Sequence, residues 1–331
     1  MQVTDAQNLA TYDVVVVGGG AAGLGGALML GRSRRSVFLV DAGEPRNAPA
    51  SGVHGFLTRD GTDPAELLRV GRGEVRGYGA RVLDGRVASA ESVEGGFTVT
   101  LEDGSRVGAR RLLVTTGLVD ELPDVVGIRE RWGRDVLHCP YCHGWEVRDQ
   151  PIGVLASGPM AVHQALLFRQ LTDDLTLFLH TAPGPTDEEM EKLAALGIKV
   201  VEGEVASLEV HEDRLTGVRL QTGEVIPRSA VVVGPRFAAR AGVLEGLGLE
   251  TTTHPSGLGE HIEADAMGLT AVPGVWVAGN VTNPTAQVLA SANAGVRAGA
   301  DINADLIAED TREAVAARRD LLSSTAGTRR S

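Results

Sequence analysis

The run Val14-Val15-Val16-Val17-Gly18-Gly19-Gly20-Ala21-Ala22-Gly23 most narrows what this chain can become. Four consecutive valines suit a strand buried on both faces, as in a parallel sheet. The glycines break the strand, and an Ala/Leu-rich helix follows to residue 30. In the spacing Gly18-x-Gly20-x-x-Gly23 the first glycine permits the tight turn. The second lets backbone approach a pyrophosphate, and the third lets helix and strand pack closely. The N–H groups at Ala21 and Ala22 then point at the phosphates. A second strand, Val37-Phe38-Leu39-Val40, ends at Asp41-Ala42, where a carboxylate about twenty residues on can hold a ribose 2′-OH. The glycine pattern alone is a weak signal. With strand, helix and acid in place it specifies an adenine dinucleotide, against the alternative of a tight turn with no ligand.

Composition removes several classes of function. A formal net charge of -12 over 331 residues argues against nucleic acid, whose phosphates need a basic surface. The same charge is repelled by an anionic membrane face. No apolar run approaches the ~18 residues of a membrane span, and the polar start of the chain does not read as a signal peptide. The expectation is a cytoplasmic enzyme of two domains.

Between the two ends the pattern changes. Residues 44–60 are loop-rich and expected to face the cofactor, and a helix is expected over 63–77. Short alternating strands at 81–87, 97–101 and 106–109 surround the turns Gly95-Gly96 and Asp103-Gly104, which read as hairpins. A further core strand over 111–117 closes on Thr115-Thr116-Gly117. Residues 118–123 read as a crossover, broken at Pro123. The strand–turn–helix theme then repeats at Ile152-Gly153-Val154-Leu155-Ala156-Ser157-Gly158-Pro159-Met160-Ala161, an internal repeat of architecture. Its fingerprint is damaged. Ala156 occupies the first glycine's place, where a Cβ in a left-handed turn costs about 1–2 kcal/mol, and Pro159 stands where a flexible residue is expected. The next strand ends at His180-Thr181-Ala182, with no acid for a ribose and no arginine pair for a 2′-phosphate. Lacking two such arginine contacts weakens a phosphorylated nicotinamide by roughly two to four orders of magnitude. Residues 198–233 give further strands with hairpin turns. Gly274 to Val281 reads as a strand closing on Gly279-Asn280. Residues 286–301, with Gln287 and Val288 at their start, form a small-residue helix with room to lie against a ligand. A final charged helix and a solvated tail follow residue 309.

The only two cysteines stand in His138-Cys139-Pro140-Tyr141-Cys142-His143-Gly144-Trp145. One helical turn can close that spacing into a small disulfide ring. A cysteine at a helix start beside a histidine has its thiolate favoured over a free pKa of about 8.5. His138 and His143 can each take a proton from a thiol or return one. The stretch therefore reads as a redox centre. Cys-x-x-Cys-His also spells a c-type haem attachment string, but that chemistry follows export. A structural zinc needs four ligands, and there is no second cysteine pair. Cys-Pro-Tyr-Cys resembles glutaredoxins, which carry the motif near the N-terminus of a small domain. Two inert buried cysteines are the plainest alternative.

Four motifs in order, Gly18 to Gly23, Thr115-Thr116-Gly117, Cys139-x-x-Cys142 and Gly279-Asn280, resemble the low-molecular-weight thioredoxin reductases over roughly residues 12–305. The resemblance implies an α/β fold of two nucleotide-binding, Rossmann-type three-layer domains, the second inserted in the first. The divisions would be 1–119 and 241–310 for FAD, 120–240 for the inserted NAD(P)-type domain carrying the cysteines, and 311–331 for a C-terminal helix and tail. It further implies a homodimer, with Cys142 facing the flavin and Cys139 meeting the substrate. Thioredoxin reductases have Cys-Ala-x-Cys-Asp-Gly, and here His143 replaces the acidic aspartate. The form over 139–146, with the poor NAD(P)H site, looks like the dithiol oxidases that close the disulfide of holomycin- and gliotoxin-type natural products, with O2 as acceptor. The expected function is oxidation of a small-molecule dithiol to a disulfide, with His143 preferred over His138 as base. An NAD(P)H-dependent reductase of a thioredoxin-like protein and a flavin redox sensor without turnover are the competing readings. No metal is expected.

Overall fold

The computed structural model describes residues 9–158 and 160–328, with side chains as far as Ser323. Expectations that fall on residues 1–8, on Pro159 and on the end of the tail lie outside these residues. The chain has an α/β fold with two Rossmann-type nucleotide-binding units, one inserted in the other.

The valine run forms the strand Thr11–Val17, at the centre of a seven-stranded sheet. It pairs in parallel with Val37–Asp41 on one side and Arg106–Val114 on the other. Because strand side chains alternate, Val15 and Val17 enter the core on one face while Val14 and Val16 enter the core on the other. Full burial of each is worth about 1.5–3 kcal/mol, which explains a run with no polar residue. The helix Ala21–Arg32 covers one face, and Arg81–Asp84 extends the parallel edge. The expected turns are present: Gly95 and Gly104, at φ +79° and +82°, join antiparallel strands Val87–Val93, Gly96–Leu101 and Arg106–Val114. The two strands expected at 106–109 and 111–117 are one. Along one edge it pairs parallel with Thr11–Val17 from Gly108 to Val114; along the other, residues 106–109 pair antiparallel with Gly96–Leu101 and residues 112–114 parallel with Val275–Val277.

The inserted unit carries five parallel strands in the order Lys199–Val201, Leu175–Phe178, Ile152–Leu155, Ala230–Val233, Val136–Leu137. An antiparallel sheet of Val205–His211, Arg214–Leu220 and Val225–Pro227 packs beside it. The crossover expected at 118–123 is half of a joint: Leu118–Glu121 pairs antiparallel with Arg236–Ala239, where the chain returns.

The small-residue segment and the later charged segment are a single helix, Val288–Thr328. Its small residues serve packing against Ala21–Arg32. A Cβ at Gly295 would overlap the Ala22 carbonyl, and one at Gly299 would lie 2.8 Å from the Gly26 carbonyl. Only the helix start lies along the ligand side. Trp276 Nε1–H donates to Asp301 Oδ2 at 2.9 Å, tying the closing strand Val275–Val277 to this helix. Arg110 and Arg111 fasten the helix further along through Asp305, Glu309 and Asp310. Among the described residues no helix is long and apolar enough to cross a membrane.

Gly295→Val should therefore force the two helices apart. Overpacking of this kind costs about 1–3 kcal/mol, read as a lower midpoint of urea unfolding. An unchanged midpoint would show that the helices do not approach this closely.

Candidate active site

A cavity of about 1310 Å³ runs between the two units. The glycine loop forms one end. Gly18 takes φ +105°, and a Cβ there would lie 2.5 Å from the Thr115 carbonyl, so the turn requires glycine. Gly23 packs on Gly18 and Thr115 and does not line the cavity. Gly20 faces open space, with no atom within 4 Å of the point where a Cβ would stand. The helix it caps has no acidic residue in its first turn, so its free N–H groups and positive end stay available to an anion.

Asp41 lines the cavity with both oxygens engaged. Oδ1 accepts from Gly19 N–H at 3.1 Å, and Oδ2 pairs with Arg72. A carboxylate offers about four acceptor positions, so a ribose hydroxyl can still bind. Thr116 Oγ1–H donates to the Arg240 carbonyl at 2.6 Å, and the Gly117 carbonyl accepts from Arg240 N–H at 2.9 Å. Asn280 Nδ2 donates to the carbonyls of Asn283 and Ala286 at 3.0 and 2.9 Å, which shapes the loop before the long helix. Ala21, Ala22, Ala42, Gly279, Gln287 and Val288 line the same space.

The cysteines form the other wall. They are joined as a disulfide with Cα atoms 5.3 Å apart. Cys139 precedes the short helical turn Pro140–His143, at the end of the strand Val136–Leu137. Proline at the first helical position starts the turn without losing a needed N–H. Gln287 Nε2 donates to Cys142 Sγ at 3.8 Å, so this sulfur lies against the glycine-loop unit.

His138 and His143 both line the cavity. Burial is the main cause that pushes His143 below the ordinary histidine value, with His54 adding to it and the Glu146 carboxylate opposing. Burial also lowers His138, opposed by its bond to the Val233 carbonyl. Both imidazoles are therefore neutral at pH 7 and able to accept a proton. Two contributors escaped sequence reading. His54, in the loop after the second strand, pairs with Glu146 at 3.4 Å and with Asp60 at 3.4 Å. Arg72, in the helix Pro64–Gly77, bridges Asp41 and Asp84. Neither stands in a motif; only the helix period could have aimed Arg72 at the sheet edge.

Known proteins share this fold. A family model described as pyridine nucleotide-disulphide oxidoreductase matches residues 12–299. Thioredoxin reductase sirT of Leptosphaeria maculans is 30% identical over 316 residues, 90% of this chain and 95% of that protein. The crystal structure of HlmI superposes with a TM-score of 0.88 at 49% identity, covering 94% of this chain and 97% of that one. The oxidoreductase from Agrobacterium tumefaciens gives 0.85 at 36%, covering 90% and 99%. The chain belongs to the pyridine nucleotide-disulphide oxidoreductase family. It is a flavin-dependent thiol–disulfide oxidoreductase with a Cys-x-x-Cys disulfide.

The family implies FAD, and the residues fit it. The open face of Gly20, the uncharged helix start and the length of the cavity from the glycine loop to the sulfurs suit a dinucleotide. The second loop is different. Ala156 is buried and is not among the non-glycine residues with positive φ, so the turn is rebuilt and the expected strain is not incurred. His180 does take a left-handed φ of +50°, and its Nδ1 accepts from Val205 N–H at 3.0 Å. That ring is thus committed to the fold at the point where a phosphate would be read.

Gly20→Val should separate folding from loading. The residue has φ -72° and room for a side chain, so circular dichroism should match the wild type while the flavin absorbance band is lost. A yellow variant with full flavin content would show that the cradle lies elsewhere.

Proposed function

We propose that the protein oxidises a small-molecule dithiol to its disulfide, with O2 as final acceptor and hydrogen peroxide as product. The observation that carries this reading is the end of the strand Leu175–Phe178 in the inserted unit, where His180-Thr181-Ala182 brings no arginine and His180 is bonded to Val205. A nicotinamide donor is poorly served there, while thiol chemistry at Cys139 and Cys142 keeps two neutral histidines. On this reading residues 1–119 and 241–310 hold FAD, 120–240 carry the disulfide, and 311–331 continue the last helix. The enzyme works as a cytoplasmic homodimer, without nucleic acid, membrane or metal.

A substrate thiolate attacks Cys139, forming a mixed disulfide and releasing Cys142 as a thiolate. His143, which stands where thioredoxin reductases have their acid, takes the proton of the second substrate thiol. That sulfur closes the substrate's disulfide and releases Cys139. The contact of Cys142 with Gln287 supports its place on the flavin side. The cradle for FAD consists of Gly18, Gly20, Ala21, Ala22, Asp41, Ala42, Thr116, Gly117, Gly279, Asn280, Gln287 and Val288, with Gly23 behind it. When bound, the flavin supplies two-electron chemistry.

The test is anaerobic. The enzyme is mixed with dithiothreitol, NADH or NADPH in turn, and air is then admitted. Bleaching of the flavin by dithiol alone, with recovery and peroxide release in air, is the expected result. Rapid bleaching by NADPH would assign the protein as a reductase, with a thioredoxin-like protein as its partner, and no bleaching by any donor would make it a sensor. Cys142→Ser should abolish reduction by dithiol.

The rate of that reduction should also depend on pH in a defined direction. A base must be deprotonated, so at saturating dithiol, where the thiol proton passes to the base inside the complex, the rate falls as pH drops through the base's pKa. Since burial lowers both histidines, half-maximal rate is expected below the ordinary histidine value of about 6.5. A midpoint above that value contradicts the assignment.

A further inference from the structure

A dithiol carries two protons, and the cycle above places only one. We propose that Gln164, assisted by Ser157, is a positioning residue that holds His138 as the Nδ1–H tautomer, so that His138 Nε2 takes the proton of the first substrate thiol. The inference rests on the dithiol reading above.

The tautomer follows from the acceptor. His138 Nδ1 lies 3.2 Å from the Val233 carbonyl oxygen, which can only accept, so Nδ1 carries the hydrogen. His138 Nε2 then bears the lone pair. It has no hydrogen-bond partner among the described residues and is not a buried orphan, so it opens on the cavity that His138 lines. The ring is also set edge-on against Phe237, with centroids 5.4 Å apart.

What fixes the carbonyl is the rebuilt second loop. Buried Gln164, in the helix Ala161–Phe168, donates Nε2–H to the His138 carbonyl at 2.9 Å and to the Val233 carbonyl at 3.3 Å. Ser157 Oγ–H donates to the Gly234 carbonyl at 2.8 Å, and Gly234 N–H points back at Ser157 Oγ at 3.3 Å. Ser157, in the loop that would begin a nucleotide site, and Gln164, in the helix after it, here clamp the strand end 233–234 that orients the histidine. The charges facing the ring are the paired Arg46 and Asp120; the helix contributes the neutral Gln164.

The step balances. A bond forms between the substrate sulfur and Cys139 Sγ, the Cys139–Cys142 bond breaks, and Cys142 Sγ leaves with the electron pair. The proton of the attacking thiol goes to His138 Nε2, and that of the second thiol goes to His143.

Gln164→Met keeps the volume and removes both hydrogen bonds, whereas Gln164→Glu sets a carboxylate against two carbonyls beside the imidazole. Two measurements are made on flavin-loaded wild type and both variants: stopped-flow reduction by dithiothreitol across pH, and 15N NMR of histidine-labelled protein. The expected wild-type spectrum shows His138 protonated at Nδ1. Gln164→Met should keep the native circular dichroism with a melting temperature a few degrees lower, show mixed tautomers and reduce about fivefold more slowly, with dithiol KM within twofold. Gln164→Glu should move the pH midpoint upward. A wild-type His138 protonated at Nε2, or a Gln164→Met enzyme with native rate, pH profile and spectrum, overturns the proposal. Wild type that dithiol never reduces removes the function and the proton role together, and the tautomer spectrum still separates that failure from failure of the clamp.

Discussion

The antiparallel pair of Leu118–Glu121 and Arg236–Ala239 is the joint on which the rest of the site depends. It is the place where the chain leaves the first sheet and comes back. Arg46 reaches it from the loop after the second strand and meets Asp120 with two hydrogen bonds, at 2.7 and 2.6 Å. The Asp120 side chain is only 7% exposed, so the pair is well shielded from solvent, and removing one partner would leave a buried charge unpaired. The same guanidinium lies over the Phe237 ring, whose edge meets His138. One ion pair thus connects the loop beside the glycine cradle, both joint strands and the histidine before the disulfide.

That geometry explains how two separate sheets build one cavity. Each sheet ends in a loop at the carboxyl end of its strands, where ligands of open α/β sheets gather. The first sheet offers Gly18 to Gly20; the inserted sheet offers Cys139 at the end of Val136–Leu137. The start of Val288–Thr328 supplies Gln287 between them, and its contact with Cys142 Sγ joins the two walls.

Legibility in the sequence followed the range of the interaction. The valine run, Gly18 and the Gly95 and Gly104 turns were readable because each obeys a local rule of period or φ. The cysteine pair was readable because four consecutive residues suffice to define it. The merging of 106–109 with 111–117 was not, since a strand that changes partner half-way carries no mark of the change. The small residues of 286–301 were visible, but a Gly295 that admits a helix backbone looks in sequence the same as one that admits a ligand. His54 and Arg72 act on residues remote in the chain, Glu146 and Asp41, and nothing beside them in sequence announces it.

Retention of the second nucleotide-type fold follows from the same physics. Whatever the damaged fingerprint binds, the fold carries a load, because the strand Val136–Leu137 pairs with Ala230–Val233, which rests on Ile152–Leu155. Loss of that sheet would free the disulfide from any fixed relation to the glycine cradle. The loop could therefore change, through Ala156 and Ser157, only in ways that kept the strand ends where they are. Turning its polar groups onto Gly234 and His138 satisfies that condition and leaves the backbone carbonyls there paired. In a fold built by duplicated architecture, the inserted unit is the one that aims the sulfurs.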